Sequence, residues 1–223
     1  MNQAIIYKEW IKTHLYISLT AVVWLGFTAY AILSIERMLT YSGAVYVWLS
    51  VLEQNNVLIE AMKYLPPLIA LGLGLVQFIP EMQQNRLKLT LHLPMNQTEM
   101  ILKMLVYGGV VLAVFYAVQI VTLWIYLDSV IASELVAVIF STASLWYIAG
   151  WMIYLLSAWI AIEPTWQRRV FNALIAAGLM RVMYFNAYPC SYSTMMVWII
   201  VWCILLLLFP VYSADRFRRG CQD

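Results

Sequence analysis

Charged side chains are scarce in this sequence. Asp, Glu, Lys and Arg make up 11% of 223 residues, against 64% for the apolar set. Soluble domains carry about 25% charged residues. A water-soluble globule of this length would leave much of that apolar surface facing water, so a soluble fold is excluded and lipid is the remaining solvent. Cysteine is sparse too: Cys190, Cys203 and Cys221 are odd in number, widely spaced and form no CxxC pair. Neither a disulfide framework nor a zinc site follows from them. The two histidines are His14 and His92. There is no HExxH, no Ser/His/Asp set and no pair of intramembrane aspartates, so hydrolytic chemistry has no carrier. No GxxxxGK[ST] run or Gly-Lys pair occurs, which excludes a phosphate-cradling loop. The 12 methionines suit Cu(I) by chemistry, but no repeated MxM or MxxM pattern supports metal transport. The net charge of +2 points to no nucleic-acid partner.

What is present is a series of long apolar runs, each near the roughly 20 residues that cross a bilayer. They lie at about residues 15–35, 57–78, 100–127, 135–162, 170–188 and 195–212. They read as six transmembrane helices in a single membrane domain, residues 1–223. The first is too long for a signal-peptide core and lacks a small-residue cleavage site, so it is read as a retained span. Pro66 and Pro67 near the start of the second remove backbone donors and predict a kink there, with Pro80 just past its end. Only residues 128–134 separate the third and fourth, which should form an antiparallel helical hairpin. The fifth is the weakest: Arg181 interrupts it and Pro189 ends it, so a broken or re-entrant crossing is open. The sixth is clean and closes on Asp215-Arg216-Phe217-Arg218-Arg219.

Orientation follows from the basic residues, which stay on the cytoplasmic side. With the N-terminus inside, Lys8, Lys12, Arg86, Lys88, Lys103, Arg168, Arg169, Arg216, Arg218 and Arg219 all fall on that side. Only Arg37, Lys63 and Arg181 of the 13 basic residues do not. Six spans then put both termini in the cytoplasm. Ahead of the first span, Ile5, Ile6, Trp10 and Ile11 mix with Lys8, Glu9 and Lys12. That pattern suits either a short helix in the inner interface, with Trp10 at headgroup depth, or a plain extension of the first span. Glu60 and Lys63, at i,i+3, read as an ion pair at the outer interface. Arg181 either lines a substrate path, pairs with a neighbour, or snorkels outward beside Tyr184 and Tyr188, and the last is favoured.

Residues 81–103 form the longest charged segment in the interior of the chain. The first half can continue the second span as a short helix, and Leu93-Pro94 interrupts it. Asn96 and Glu99 have capping-box spacing, which predicts that the third span starts near Gln97. Here the chain resembles the permease subunits of type-2 ABC exporters. Those proteins have six spans with inside termini and an N-terminal interfacial helix, which Lys8-Glu9 before Trp10 matches here. Between spans two and three they carry an acidic start (Glu81), a leucine-rich middle (Leu87, Leu89, Leu91), then Leu93-Pro94, Thr98-Glu99 and Lys103. Where family members often have a Gly-Thr pair, this chain has Asn85-Arg86.

The resemblance implies an all-α integral membrane fold with a cytoplasmic coupling helix between spans two and three. That helix would dock into an ATPase subunit through Glu81, Arg86, Leu87, Lys88, Leu91, Leu93, Pro94, Thr98 and Glu99. The chain alone would then be no enzyme and hold no cofactor, with ATP and Mg²⁺ on the separate ABC ATPase subunit. The implied location is the inner (cytoplasmic) membrane of a bacterium. A chain this small cannot enclose a pathway, so a second permease chain is expected, in a homo- or heterodimer. Two other expectations stay open: a haem-exporter-type permease of cytochrome maturation, and a non-transporting membrane scaffold or assembly factor. Both histidines fall on the cytoplasmic side and offer no haem-ligand pattern. In a chain stripped of its own cysteines, Thr98→Cys is expected to react with an impermeant thiol reagent from the cytoplasmic face only. Labelling from the outer face would overturn the orientation.

Overall fold

The computed structural model describes residues 2–52, 57–83, 96–185 and 190–219, and all regular structure among them is helical. The helices are α1 (Asn2–Leu52), α2 (Leu65–Met82), α3 (Gln97–Val130), α4 (Ser133–Ile162), α5 (Trp166–Met183), α6 (Met196–Leu205) and α7 (Leu208–Arg218). Short 3-10 turns at Glu60–Met62 and Ser193–Met195 precede α2 and α6. Among the described residues, five segments are long and apolar enough to cross a membrane: Ala4–Gly43, Glu60–Met82, Thr98–Val130, Ser133–Ile162 and Ser193–Arg218. The segment holding α5, with Arg168, Arg169 and Arg181, is not among them.

The backbone revises several local expectations. No break separates residues 5–12 from the first span, because α1 contains no proline and keeps helical geometry up to Gly43. The N-terminal segment is thus an extension of that span and not a separate interfacial helix. At Gly43 the backbone takes φ 80° and ψ 158°, a conformation a residue without Cβ adopts readily, and the helix turns aside there. Pro66 and Pro67 occupy the first turn of α2. A helix needs no N–H at those positions, so the prolines start α2 instead of kinking it. Pro80 lies inside α2, which ends at Met82. The last run is not clean: it divides between α6 and α7 at residues 206–207. Pro210 cannot donate to the Leu206 carbonyl, and tighter bonds from Leu207 N–H to Ile204 O (3.1 Å) and from Phe209 N–H to Leu206 O (3.2 Å) fill the gap. The α3–α4 hairpin forms as expected, joined by Ile131 and Ala132.

Helix α4 is the centre of the bundle. In its most apolar stretch 72% of residues are buried, against 22% in α1 and 17% across α6–α7. Its main neighbour is α2. The two run parallel, with Pro66 against Gly150 and Gly74 against Ser157. A Cβ on Gly74 would fall on the Ser157 hydroxyl and stand 3.3 Å from the Tyr154 carbonyl oxygen. Small residues of this kind let membrane helices approach closely. On the other side α1 and α3 run parallel, joined by the Thr13 and Tyr107 hydroxyls (2.8 Å) and by Gln119 Nε2 donating to Thr28 Oγ1 (3.3 Å). Tyr147 donates to the same Gln119 amide (3.0 Å), so α4 joins that contact.

The returning helix α5 reaches both ends of the bundle. At its start Arg169 donates to the Glu163 carbonyl (2.8 Å), and just past its end the Tyr184 hydroxyl donates to the Lys63 carbonyl (3.1 Å). Its 18 residues rise about 27 Å. The outward faces of α1 and α3 are apolar and exposed, as at Leu15, Leu19 and Val22, and at Val106, Val110, Val114 and Val118. Contiguous stripes of that kind suit lipid, whereas soluble monomers rarely carry them. Gly74→Val is expected to cost about 1–3 kcal/mol by overpacking, read as a lower melting temperature of the detergent-solubilised chain. Gly178→Ala, whose Cβ meets nothing within 4 Å, should not lower it.

Candidate functional site

The last two turns of α2 carry Gln77 and Glu81, one turn apart and both buried. Gln77 Nε2 donates to the Met104 carbonyl (2.7 Å), and Gln77 Oε1 accepts from the Tyr154 hydroxyl (2.8 Å), which also lies 3.2 Å from the Leu105 carbonyl. One amide therefore fastens α2 to α3 and α4. A turn later, Glu81 Oε1 stands 2.7 Å from Lys12 Nζ and 2.9 Å from Lys8 Nζ. Lys12 Nζ also lies 2.7 Å from Glu9 Oε1 and donates to the Gln77 carbonyl (3.3 Å). Glu9 and Glu81 are only 0% and 3% exposed. Two carboxylates and two ammonium groups thus neutralise one another between α1 and α2. Burial makes each charge costly by itself and strengthens the attraction between them.

A second cluster closes the same end of the bundle. The buried Glu163 carboxylate accepts from Ser213 (2.6 Å), from Thr165 (3.2 Å) and from Arg216. With Arg169 on the Glu163 carbonyl, this residue ties together the end of α4, the start of α5 and the end of α7.

The sequence-predicted site residues are distributed unevenly. Glu81 does not sit on an outward polar face. It follows Gln77 and Phe78 on the buried side of α2 and turns onto the lysines of α1. Thr98 and Glu99 are exposed on the first turn of α3. They face α7 across a groove of about 730 Å³ bordered by Leu102, Tyr212, Asp215 and Arg218. The capping box is not formed: Asn96 makes no side-chain cap bond, and Glu99 pairs with Lys103 at 2.6 Å, one turn on. Arg86, Leu87, Lys88, Leu91, Leu93 and Pro94 lie outside the described residues. Arg181 is exposed in the last turn of α5, at the opposite end from Glu81. The expected Glu60–Lys63 pair is also absent. Lys63 Nζ rests instead over the rings of Tyr64 (5.5 Å) and Tyr184 (5.9 Å).

Sequence reasoning missed Lys12 and Glu9 as partners of Glu81, and it missed Gln77, Tyr154 and the Glu163–Arg216 cluster. Gln77 and Gln119 did leave a signal, since each is a lone amide inside an apolar run. Among the described residues, no three His, Cys, Asp or Glu stand close enough to hold a metal. The site offers charge pairing and mechanical attachment. Comparison with protein-family models, with curated proteins and with solved structures finds no match to this chain.

Lys12→Ala would leave Glu9 buried without its nearest ammonium. It is expected to cost about 3 kcal/mol, measured as a loss of thermal stability. Arg219→Ala, which removes an exposed pair with Asp215, should change stability by less than about 0.5 kcal/mol.

Proposed function

We propose that this chain is the membrane-spanning subunit of an ATP-driven exporter, coupling ATP hydrolysis on a separate ATPase subunit to substrate movement. The observation that carries this reading is the fastening of both roots of the segment at residues 84–95. A soluble motor can move membrane helices only through an element whose ends are rigidly held. On one side Glu81, one residue from the end of α2, is locked to Lys8 and Lys12 of α1. On the other, Asn96 leads straight into α3, which Gln77 binds at Met104. A displacement of the segment would pass into α1, α2 and α3, and through Tyr154 into α4.

The same reading takes the Glu81 end as cytoplasmic. Lys8, Lys12, Arg169 and Arg216 gather there, in support of an orientation with basic residues inside. It takes α5 as a crossing as well, which makes six and puts both termini inside, with the contacts of Arg169 to Glu163 and of Tyr184 to Lys63 in support. A second copy or a second permease chain completes the pathway. Extraction from the native membrane in mild detergent is expected to bring an ATPase subunit with the chain. Arg86→Glu combined with Lys88→Glu should abolish that association and stimulated ATP turnover while leaving the melting temperature of the chain unchanged. The reading fails if no ATPase accompanies the native chain, or if the double variant keeps both complex and turnover.

A further inference from the structure

At the end of the bundle opposite Glu81, a cleft opens between the turn that precedes α2, the first half of α4 and residues 190–196. Its cavity volume is about 40 Å³, and it opens to the outside at its mouth. Glu60 and Lys63 both line it. They stand three residues apart on a 3-10 turn capped by Lys63, where side chains at i and i+3 leave the backbone in the same direction. Opposite charges so placed should pair, yet no contact joins them. Lys63 is held by the faces of Tyr64 and Tyr184, and neither charge has an ionic partner among the described residues. The opposite wall carries the hydroxyls of Ser141, Thr142, Ser191 and Ser193. That wall is fixed, because Cys190 N–H donates to Thr142 Oγ1 (3.3 Å) and Cys190 Sγ lies 2.6 Å from Ser141 Oγ.

A lone anion in this cleft would meet the Glu60 carboxylate, and a lone cation would meet the Lys63 ammonium. A ligand carrying both charges complements the pair and bridges the gap between them. Trp146 and Tyr192 line the cleft, and Tyr64 and Tyr184 flank Lys63 beside it, as amphipathic rings do where a bundle meets the membrane–water boundary. Zwitterionic headgroups are concentrated at that depth. We propose that the cleft binds an ammonium–phosphate zwitterion, with the phosphate on Lys63 and the Ser191 and Ser193 hydroxyls and the ammonium on Glu60. The site stands apart from the exporter reading and does not depend on it.

The test titrates the purified full chain in maltoside detergent with four probes: dihexanoyl-phosphatidylethanolamine, O-phosphoethanolamine, dihexanoyl-phosphatidylglycerol and inorganic phosphate. Heat of binding is the readout. At least one of the two zwitterions should bind saturably. Glu60→Ala and Lys63→Ala should each weaken that binding about tenfold or more, the range for charged hydrogen bonds. Ser193→Trp blocks the mouth from an exposed position and should abolish binding without touching the core. Arg181→Ala, at the same end but off the cleft, should leave it unchanged. Binding of the lipid alone identifies a membrane headgroup, and equal binding of O-phosphoethanolamine identifies a soluble ligand; either supports the site. Three results would overturn it: no saturable zwitterion binding, equal affinity for phosphatidylglycerol or phosphate, or indifference to the Glu60, Lys63 and Ser193 substitutions.

Discussion

Gly74 lets α2 approach α4 until Ser157 and the Tyr154 carbonyl stand where a side chain would otherwise be. That approach carries Gln77 to the Tyr154 hydroxyl and, across α3, to the Met104 carbonyl. Lipid offers no alternative partner to any of these groups, and each left unmade would cost about 1–3 kcal/mol. The amide in turn fixes the rotation of α2 about its axis. With Gln77 facing inward, Glu81 one turn later must face inward as well. Lys8 and Lys12 of α1 meet Glu81 there, so their position follows from a contact between two other helices. The clamp at Glu81 is the last consequence of a missing side chain at Gly74.

Polar groups are graded along the bundle by what they cost to bury. Full charges occupy the two ends: the Lys–Glu network and the Glu163 cluster at one, Glu60, Lys63 and Arg181 at the other. Between them the polar groups are neutral, with Gln119 shared by Tyr147 and Thr28 and Tyr116 reaching the Pro66 carbonyl (3.5 Å). A hydrogen-bonded amide or phenol can be buried at modest cost, whereas an ion needs a counter-ion and leftover donors. Both ends therefore carry the interactions that specify where the helices stop, and the middle carries those that specify how they face.

The positions of α2, α3 and α4 were legible in hydropathy to within several residues, because long buried helices are apolar for nearly their whole length. The continuity of α1 past residue 35 was not legible. Glu36, Arg37 and Tyr41 look like a loop to a hydropathy scale, but a helix outside the hydrocarbon layer needs only backbone bonds and no proline. Pro66-Pro67 was misjudged for a related reason: the meaning of a proline depends on where the helix begins, which composition does not reveal. Pro210 sits in an unbroken apolar run, so a property of side chains concealed a backbone break. The inward facing of Glu81 depends on partners 69 and 73 residues away in sequence. No local pattern contains that information.

The behaviour of α5 turns on where its charges lie more than on how many there are. Arg168 and Arg169 occupy its first turn and Arg181 its last, leaving residues 170–180 without charge. That uncharged stretch rises about 16 Å, roughly half of a hydrocarbon layer. Arginine stems are long and apolar, so the exposed Arg168 and Arg181 can hold their guanidinium groups in water, while Arg169 turns back onto the Glu163 carbonyl. A helix can thus fail a test of length and hydropathy and still connect the two ends of a bundle, as the contacts of α5 at Glu163 and of Tyr184 at Lys63 do here. Between those two ends α5 packs against α4.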